Sequence, residues 1–193
     1  MEVLSSIFSA FGLSASAGLN AYIPLLVVAL LAKYTNLIKL NPPWDTMTSW
    51  WVIGLLIFLL LIEIFADKVP AVNHINDIIQ TFVRPVAGAI LFAASAQVIT
   101  DVHPVLALAA GVLVAGSVHV AKSAAVRPVV TATTGGAGNV PVSILEDIIS
   151  TVLSILAILI PILIGVLIIT LIVLVIWWLR QRKSRQAQPT APR

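Results

Sequence analysis

Apolar residues run through most of this chain in stretches too long for a soluble domain, and polar residues gather mainly at their ends. Hydrocarbon roughly 30 Å thick needs about 20 apolar residues in a helix rising 1.5 Å per residue. By that measure the first span covers residues 8 to 32 and ends at Lys33. In the loop that follows, Asn41-Pro42-Pro43-Trp44-Asp45 signals a turn, and Trp44, Trp50 and Trp51 are aromatics suited to the membrane interface. The second span runs from Trp50 to Ala66.

From Asp67 to Arg84 the pattern changes. Ile75, Ile78, Ile79, Phe82 and Val83 recur at helical spacing, while His74, Asn76, Asp77 and Gln80 fill the other face. This predicts a short amphipathic helix, interfacial or re-entrant, which Arg84-Pro85 should break or kink. A third span follows from Val86 to Ile99 and a fourth from Pro104 to Ala125. The stretch from Arg127 to Asn139, rich in threonine and glycine, predicts a loop. The last apolar run, Ser143 to Leu179, is too long for one straight crossing and contains Pro161. It predicts a half-helix before that proline and a full span after it, or one long kinked helix.

The expected architecture is an all-α integral membrane bundle of five or six transmembrane segments with amphipathic or re-entrant half-helices. Residues 1–180 form one polytopic domain and 181–193 a basic, disordered cytoplasmic tail. A weak internal repeat is visible. Val69-Pro70 leads to Asn76-Asp77-Ile78-Ile79-Gln80-Thr81, as Val140-Pro141 leads to Glu146-Asp147-Ile148-Ile149-Ser150-Thr151; Arg84-Pro85-Val86 echoes Arg127-Pro128-Val129 at a different offset, so that echo need not belong to the same duplication. Repeated units with broken helices are common in transporters, and chance matches are equally common in an isoleucine-rich chain.

Composition narrows the class further. Only 10% of residues are charged and the mean hydropathy is +1.08, against roughly 25% charged residues in a soluble domain. The net charge of +3 does not point to nucleic acid, because much of it sits in Arg180, Arg182, Lys183 and Arg185 after the last apolar run. Such a run anchors the cytoplasmic side. With five crossings, Lys33, Lys39 and that run share one face of the membrane, opposite Lys68, Lys122 and Arg127. The absence of cysteine excludes disulfides and thiolate chemistry. The N-terminus lacks the basic start of a signal peptide, so the first apolar segment reads as a retained helix.

Several separate motifs carry a family resemblance. They are Gly12-Leu13-Ser14-Ala15-Ser16-Ala17-Gly18-Leu19-Asn20-Ala21-Tyr22-Ile23-Pro24, Ala66-Asp67-Lys68-Val69-Pro70, Phe82-Val83-Arg84-Pro85, Thr133-Thr134-Gly135-Gly136 and Leu145-Glu146-Asp147. Together they resemble the bacterial membrane family known as domain of unknown function 4126, over nearly the whole chain. The resemblance implies a membrane fold, in the bacterial cytoplasmic membrane, and assigns no catalytic residue.

Candidate chemistry lies in the polar residues at hydrocarbon depth. An ionised side chain at the bilayer centre costs about 2.5 to 3.5 kcal/mol on insertion scales, so such residues normally face a bundle interior. Glu63 and Asp67 form an acidic stripe four residues apart. His119 and Lys122 share a face on the fourth span, with Arg127 beyond. These residues form an ion or proton-coupling site, or they snorkel to the interface from helix ends. Arg84, Lys122 and Arg127 beside the Thr133-Thr134-Gly135-Gly136 loop suggest an anion cradle, against which stands a plain flexible loop. Glu146 and Asp147 read as first-turn acids that favour the helix dipole. Asn20, Tyr22 and Pro24 interrupt the first span and could line a cavity.

No nucleophile elbow, zinc-binding histidine pair or dinucleotide fingerprint is present, so an enzyme is not the first expectation, and no cofactor or metal is implied. The leading reading is a small transporter, channel or lipid translocase for an anionic or proton-coupled solute. Arg84 and Arg127 would attract the anion, while Glu63, Asp67 and His119 would couple protons. Membrane lipids, an anionic small molecule or lipid head group, and further copies of the chain are the expected partners. The alternatives are a membrane-embedded enzyme or accessory subunit acting on a lipid head group, and a structural scaffold.

Overall fold

The computed structural model describes residues 2–68, 70–96 and 103–186. The side chains of Lys68 and His74, the end of the third predicted span at 97–99 and the tail beyond Gln186 lie outside the described residues. The described chain is predominantly helical: α1 (Glu2–Leu19), α2 (Tyr22–Tyr34), a short 3-10 turn (Trp44–Thr48), α3 (Trp50–Lys68), α4 (Pro70–Ala96), α5 (Pro104–Ala121), a π-helical turn (Lys122–Val126), α6 (Arg127–Thr134), α7 (Asn139–Leu159) and α8 (Pro161–Gln186). Among these residues five helical stretches are long and apolar enough to cross a membrane, and α1 and α2 are shorter apolar helices. This is an all-α membrane bundle.

Four predicted boundaries change. The first span is two helices, because Asn20 ends α1 and its Oδ1 accepts the Tyr22 and Ile23 N–H groups that open α2. The chain turns back there, since Ser5 to Ser9 of α1 and Asn36 to Lys39 after α2 line one cavity. The amphipathic segment and the third span are one helix, α4, with Pro85 inside it. Proline removes one backbone hydrogen bond, but α4 packs along α5 in the most extensive helix pair of the bundle. The polar face of α4 is also reversed from that of an interfacial helix. Asn76, Gln80 and Arg84 are buried, while Ile78, Ile79 and Phe82 are exposed toward the lipid position.

The predicted loop from Arg127 contains a helix instead. The Thr133 and Thr134 hydroxyls donate to the Val129 and Val130 carbonyls one turn back, so their polarity is absorbed within α6. Among the described residues only Gly135 and Gly136 adopt positive φ, and there α6 ends. The run from Ser143 belongs to two helices, α7 and α8, broken at Ile160, and α7 with 21 residues is no half-helix. The sidedness count based on five crossings therefore no longer applies as made.

The buried helix α1 lies at the centre, against α4, α5, α7 and α8. Gly88 and Gly111 let α4 and α5 approach backbone to backbone; a Cβ built on Gly88 would lie 2.8 Å from the Gly111 carbonyl oxygen. Along the α1–α7 contact, Ser9 donates to the Ala157 carbonyl at 2.6 Å, and Ser16 meets the hydroxyls of Ser150 and Ser154 at 2.8 and 2.7 Å. With no hydrophobic drive between helices in lipid, small residues and such hydrogen bonds hold the contact. At the membrane rim, Lys33 Nζ sits 4.7 Å from the Trp50 ring centre and the Arg182 guanidinium 3.6 Å from that of Trp178.

Candidate functional site

The turn between α1 and α2 brings a helix C-terminus and a helix N-terminus to one spot inside the bundle. Lys122 Nζ donates to the Leu19 carbonyl at 3.1 Å, satisfying one of the acceptors a helix end leaves free. Asn20 Nδ2 donates to Asp147 Oδ1 at 2.9 Å. The same Asn20 side chain therefore caps α2 and ties α7 to the turn.

Around this point α3, α4, α5, α6 and α7 supply charged groups. Arg84 Nη2 donates to Glu63 Oε1 at 2.9 Å, with both side chains 1% exposed. Arg84 Nη1 lies 3.2 Å from His119 Nδ1. A guanidinium has no acceptor, so Nδ1 must be the unprotonated nitrogen and Nε2 carries the hydrogen. Nε2 lies 3.1 Å from Thr81 Oγ1, which itself donates to the Asp77 carbonyl. His119 thus stands as the neutral Nε2–H tautomer, held by α4.

Arg127 joins a second group of acids. Its Nη1 reaches both Asp77 oxygens at 2.7 and 2.6 Å, and its Nη2 lies 3.3 Å from Asp67 Oδ2. Asp67 also accepts from Ser143 at 2.5 Å and from Asn76 at 2.8 Å. Lys122 Nζ forms an ion pair with Glu146 Oε2 at 2.6 Å, and Arg127 Nη2 approaches the same oxygen at 3.8 Å.

The π turn makes this sharing possible. The Arg127 N–H bonds to the Lys122 carbonyl five residues back. In an α-helix, positions five apart diverge by about 140° at 3.6 residues per turn. The wider turn brings them toward one side, where both meet Glu146.

The family model described as domain of unknown function DUF4126 matches residues 7–181. The chain belongs to this family. No curated protein and no solved structure matches it. Family membership assigns no chemistry, which is argued from the side chains above.

Of the residues singled out by sequence, Asn20, Glu63, Asp67, Arg84, His119, Lys122, Arg127, Glu146 and Asp147 converge in the buried network. Tyr22 sits at its edge, beside Gln80 and in electrostatic range of Glu63 and Arg84. Thr133 and Thr134 do not join it, being exposed and hydrogen-bonded to their own helix. Among the described residues Arg84, Lys122 and Arg127 face carboxylates rather than the glycine turn around which the anion cradle was expected. Glu146 and Asp147 are not first-turn acids, because α7 begins at Asn139 and both side chains take partners from other elements.

Sequence reasoning missed Asn76, Asp77, Gln80 and Ser143 as members of the site. The spacing of Asn76, Gln80 and Arg84, each one turn from the next, was the available signal. Both arginines of the Arg-Pro-Val echo, Arg84 and Arg127, end in the network, and the repeated acidic motif supplies Asp77 and Asp147.

Proposed function

We propose that this chain is a small proton-coupled transporter or channel whose coupling site is the buried network. One observation carries the reading: among the described residues five carboxylates, the buried Glu63, Asp67 and Glu146 and the part-buried Asp77 and Asp147, join one network with three cations, Arg84, Lys122 and Arg127. Excess negative charge at membrane depth is costly, and taking up protons relieves it. Among the described residues of the network, Asp147 is the acid with no cation within ion-pair distance; its partner is the Asn20 amide. Glu63 Oε2 and Gln80 Oε1 are buried acceptors with no hydrogen-bond partner, and a proton on Glu63 would give one of them a hydrogen to donate.

The same pairing argues against attraction of a free anion by Arg84 or Arg127, since each is already committed to a carboxylate. The basic end of α8, with Arg180 and Arg182, supports a cytoplasmic placement of that end.

The test is proton movement in liposomes containing the full chain and a trapped pH-sensitive dye, driven by a potassium diffusion potential. The wild type should move protons faster than empty vesicles. Asp147→Asn keeps a hydrogen-bonding amide beside Asn20, and should fold normally yet fall to the background rate. Equal rates for wild type and empty vesicles between pH 5 and 8 would remove the reading.

A further inference from the structure

A second polar feature lies at the opposite end of the bundle. A partly open cavity of about 600 Å³ falls within the usual ligand-pocket range of roughly 300 to 1,000 Å³. Its position on α1, near Ser6, is roughly 20 Å from Asn20 at 1.5 Å rise per residue. It is therefore separate from the ion-pair network.

The two sides of this cavity differ in chemistry. Ser5 and Ser6 of α1, Ser95 of α4, and Asn36 and Lys39 after α2 provide its polar wall, beside Ser9, whose hydroxyl is already donated to the Ala157 carbonyl. Leu13, Val28, Ile38 and Ile158 provide the apolar one. Among the described residues no acidic side chain lines it. Lys39 differs from the buried cations: among the described residues it makes no ion pair and no hydrogen bond. The other interfacial lysine, Lys33, is engaged, donating to the Thr48 carbonyl at 2.7 Å and covering the Trp50 ring.

We propose that this cavity binds an anionic phosphate ester carrying an apolar chain. One ammonium and several hydroxyl and amide groups match a head group rich in acceptor oxygens and of single or double negative charge. The aliphatic wall takes the chain attached to it. A carboxylate offers fewer acceptors for the same set of donors. The ligand chemistry has two sources, a membrane phospholipid of the phosphatidate type or a water-soluble alkyl phosphate. The site stands whether or not the network conducts protons, because its readout is binding.

Native mass spectrometry of the full chain in neutral detergent tests the assignment, with phosphatidate, phosphatidylcholine and octyl phosphate as probes. Wild-type protein should retain phosphatidate at least tenfold over phosphatidylcholine. Lys39→Gln and Ser6→Phe should each abolish that preference, the first by removing the charge and the second by filling the space, while Lys33→Gln preserves it. Octyl phosphate that displaces phosphatidate assigns the site to soluble esters, and failure to displace it assigns the site to lipid. Retention unchanged in Lys39→Gln overturns the proposal, as does equal loss in Lys33→Gln, which would mean diffuse attraction of anions to surface lysines. Ser6→Phe is judged only if its thermal unfolding matches wild type; Lys39→Gln, in an exposed loop, decides otherwise.

Discussion

Asn20 and Asp147, 127 positions apart in the chain, meet through a 2.9 Å hydrogen bond at the turn between α1 and α2. The same asparagine accepts two backbone N–H groups of α2, each at 3.0 Å. Losing a capping side chain costs about 1 kcal/mol, with a range of roughly 0.5 to 2. Asn20→Ala should therefore lower thermal stability in detergent by an amount at the upper end of that range, because the contact with α7 is lost as well. Asn20→Asp retains an acceptor for the cap but sets two carboxylates together, and should be less stable than wild type near neutral pH. A melting temperature unchanged in Asn20→Ala would show that the turn is held by other contacts.

The pair of Glu63 and Arg84 separates folding from function. Removing one member of a buried ion pair leaves an uncompensated charge and typically costs about 3 to 5 kcal/mol. Arg84→Ala should unfold readily or fail to accumulate. Replacing both members by apolar side chains of similar size is often neutral or stabilising, so Glu63→Leu combined with Arg84→Met should recover most of that loss. Proton flux in this double variant should remain at background. Full flux in a stable double variant would take both residues out of the mechanism.

The close approach of α4 and α5 predicts a steric result. A Cβ built on Gly111 would lie 2.6 Å from the Ala89 Cα, which is backbone and cannot swing aside. Overpacking of this kind costs about 1 to 3 kcal/mol, and Gly111→Ala should lose stability on that scale. Gly54 on α3 has nothing within 4 Å of an added Cβ, and Gly54→Ala should be neutral or stabilising by up to about 1 kcal/mol through helix propensity. Paired thermal melts of the two variants check both signs at once.

The membrane class was legible because it rests on the length of apolar runs, which no tertiary contact can cancel. Glu63 and His119 were legible for a related reason: an ionisable residue surrounded by leucine, isoleucine and valine needs a partner wherever the helix lies. The role of α4 was less accessible. Its alternating faces fit an interfacial helix in water as well as a spanning helix turned inside out, and only contact with α3 and α5 distinguishes them. Thr133 and Thr134 misled because threonine suggests a loop by polarity, whereas its hydroxyl can bond to its own helix. The π turn at Lys122 carries no compositional mark, so the facing of Lys122 and Arg127 toward one acid was hidden. The cavity at Lys39 was hidden as well, since its wall is drawn from α1, α2 and the loop after it, α4, α7 and α8.

The network also imposes an order on biosynthesis. Glu63 finds its cation only 21 positions later, at Arg84, so a ribosome delivers both within one helical pair. Asp67 must wait for Arg127, 60 positions further on, and for Ser143 after that. During translation α3 therefore reaches the membrane before most of its counterions exist, at a stage when its two carboxylates resist burial. Nascent α3 and α4 would enter as a pair, with Asp67 kept at the aqueous boundary until α6 and α7 arrive to draw it in.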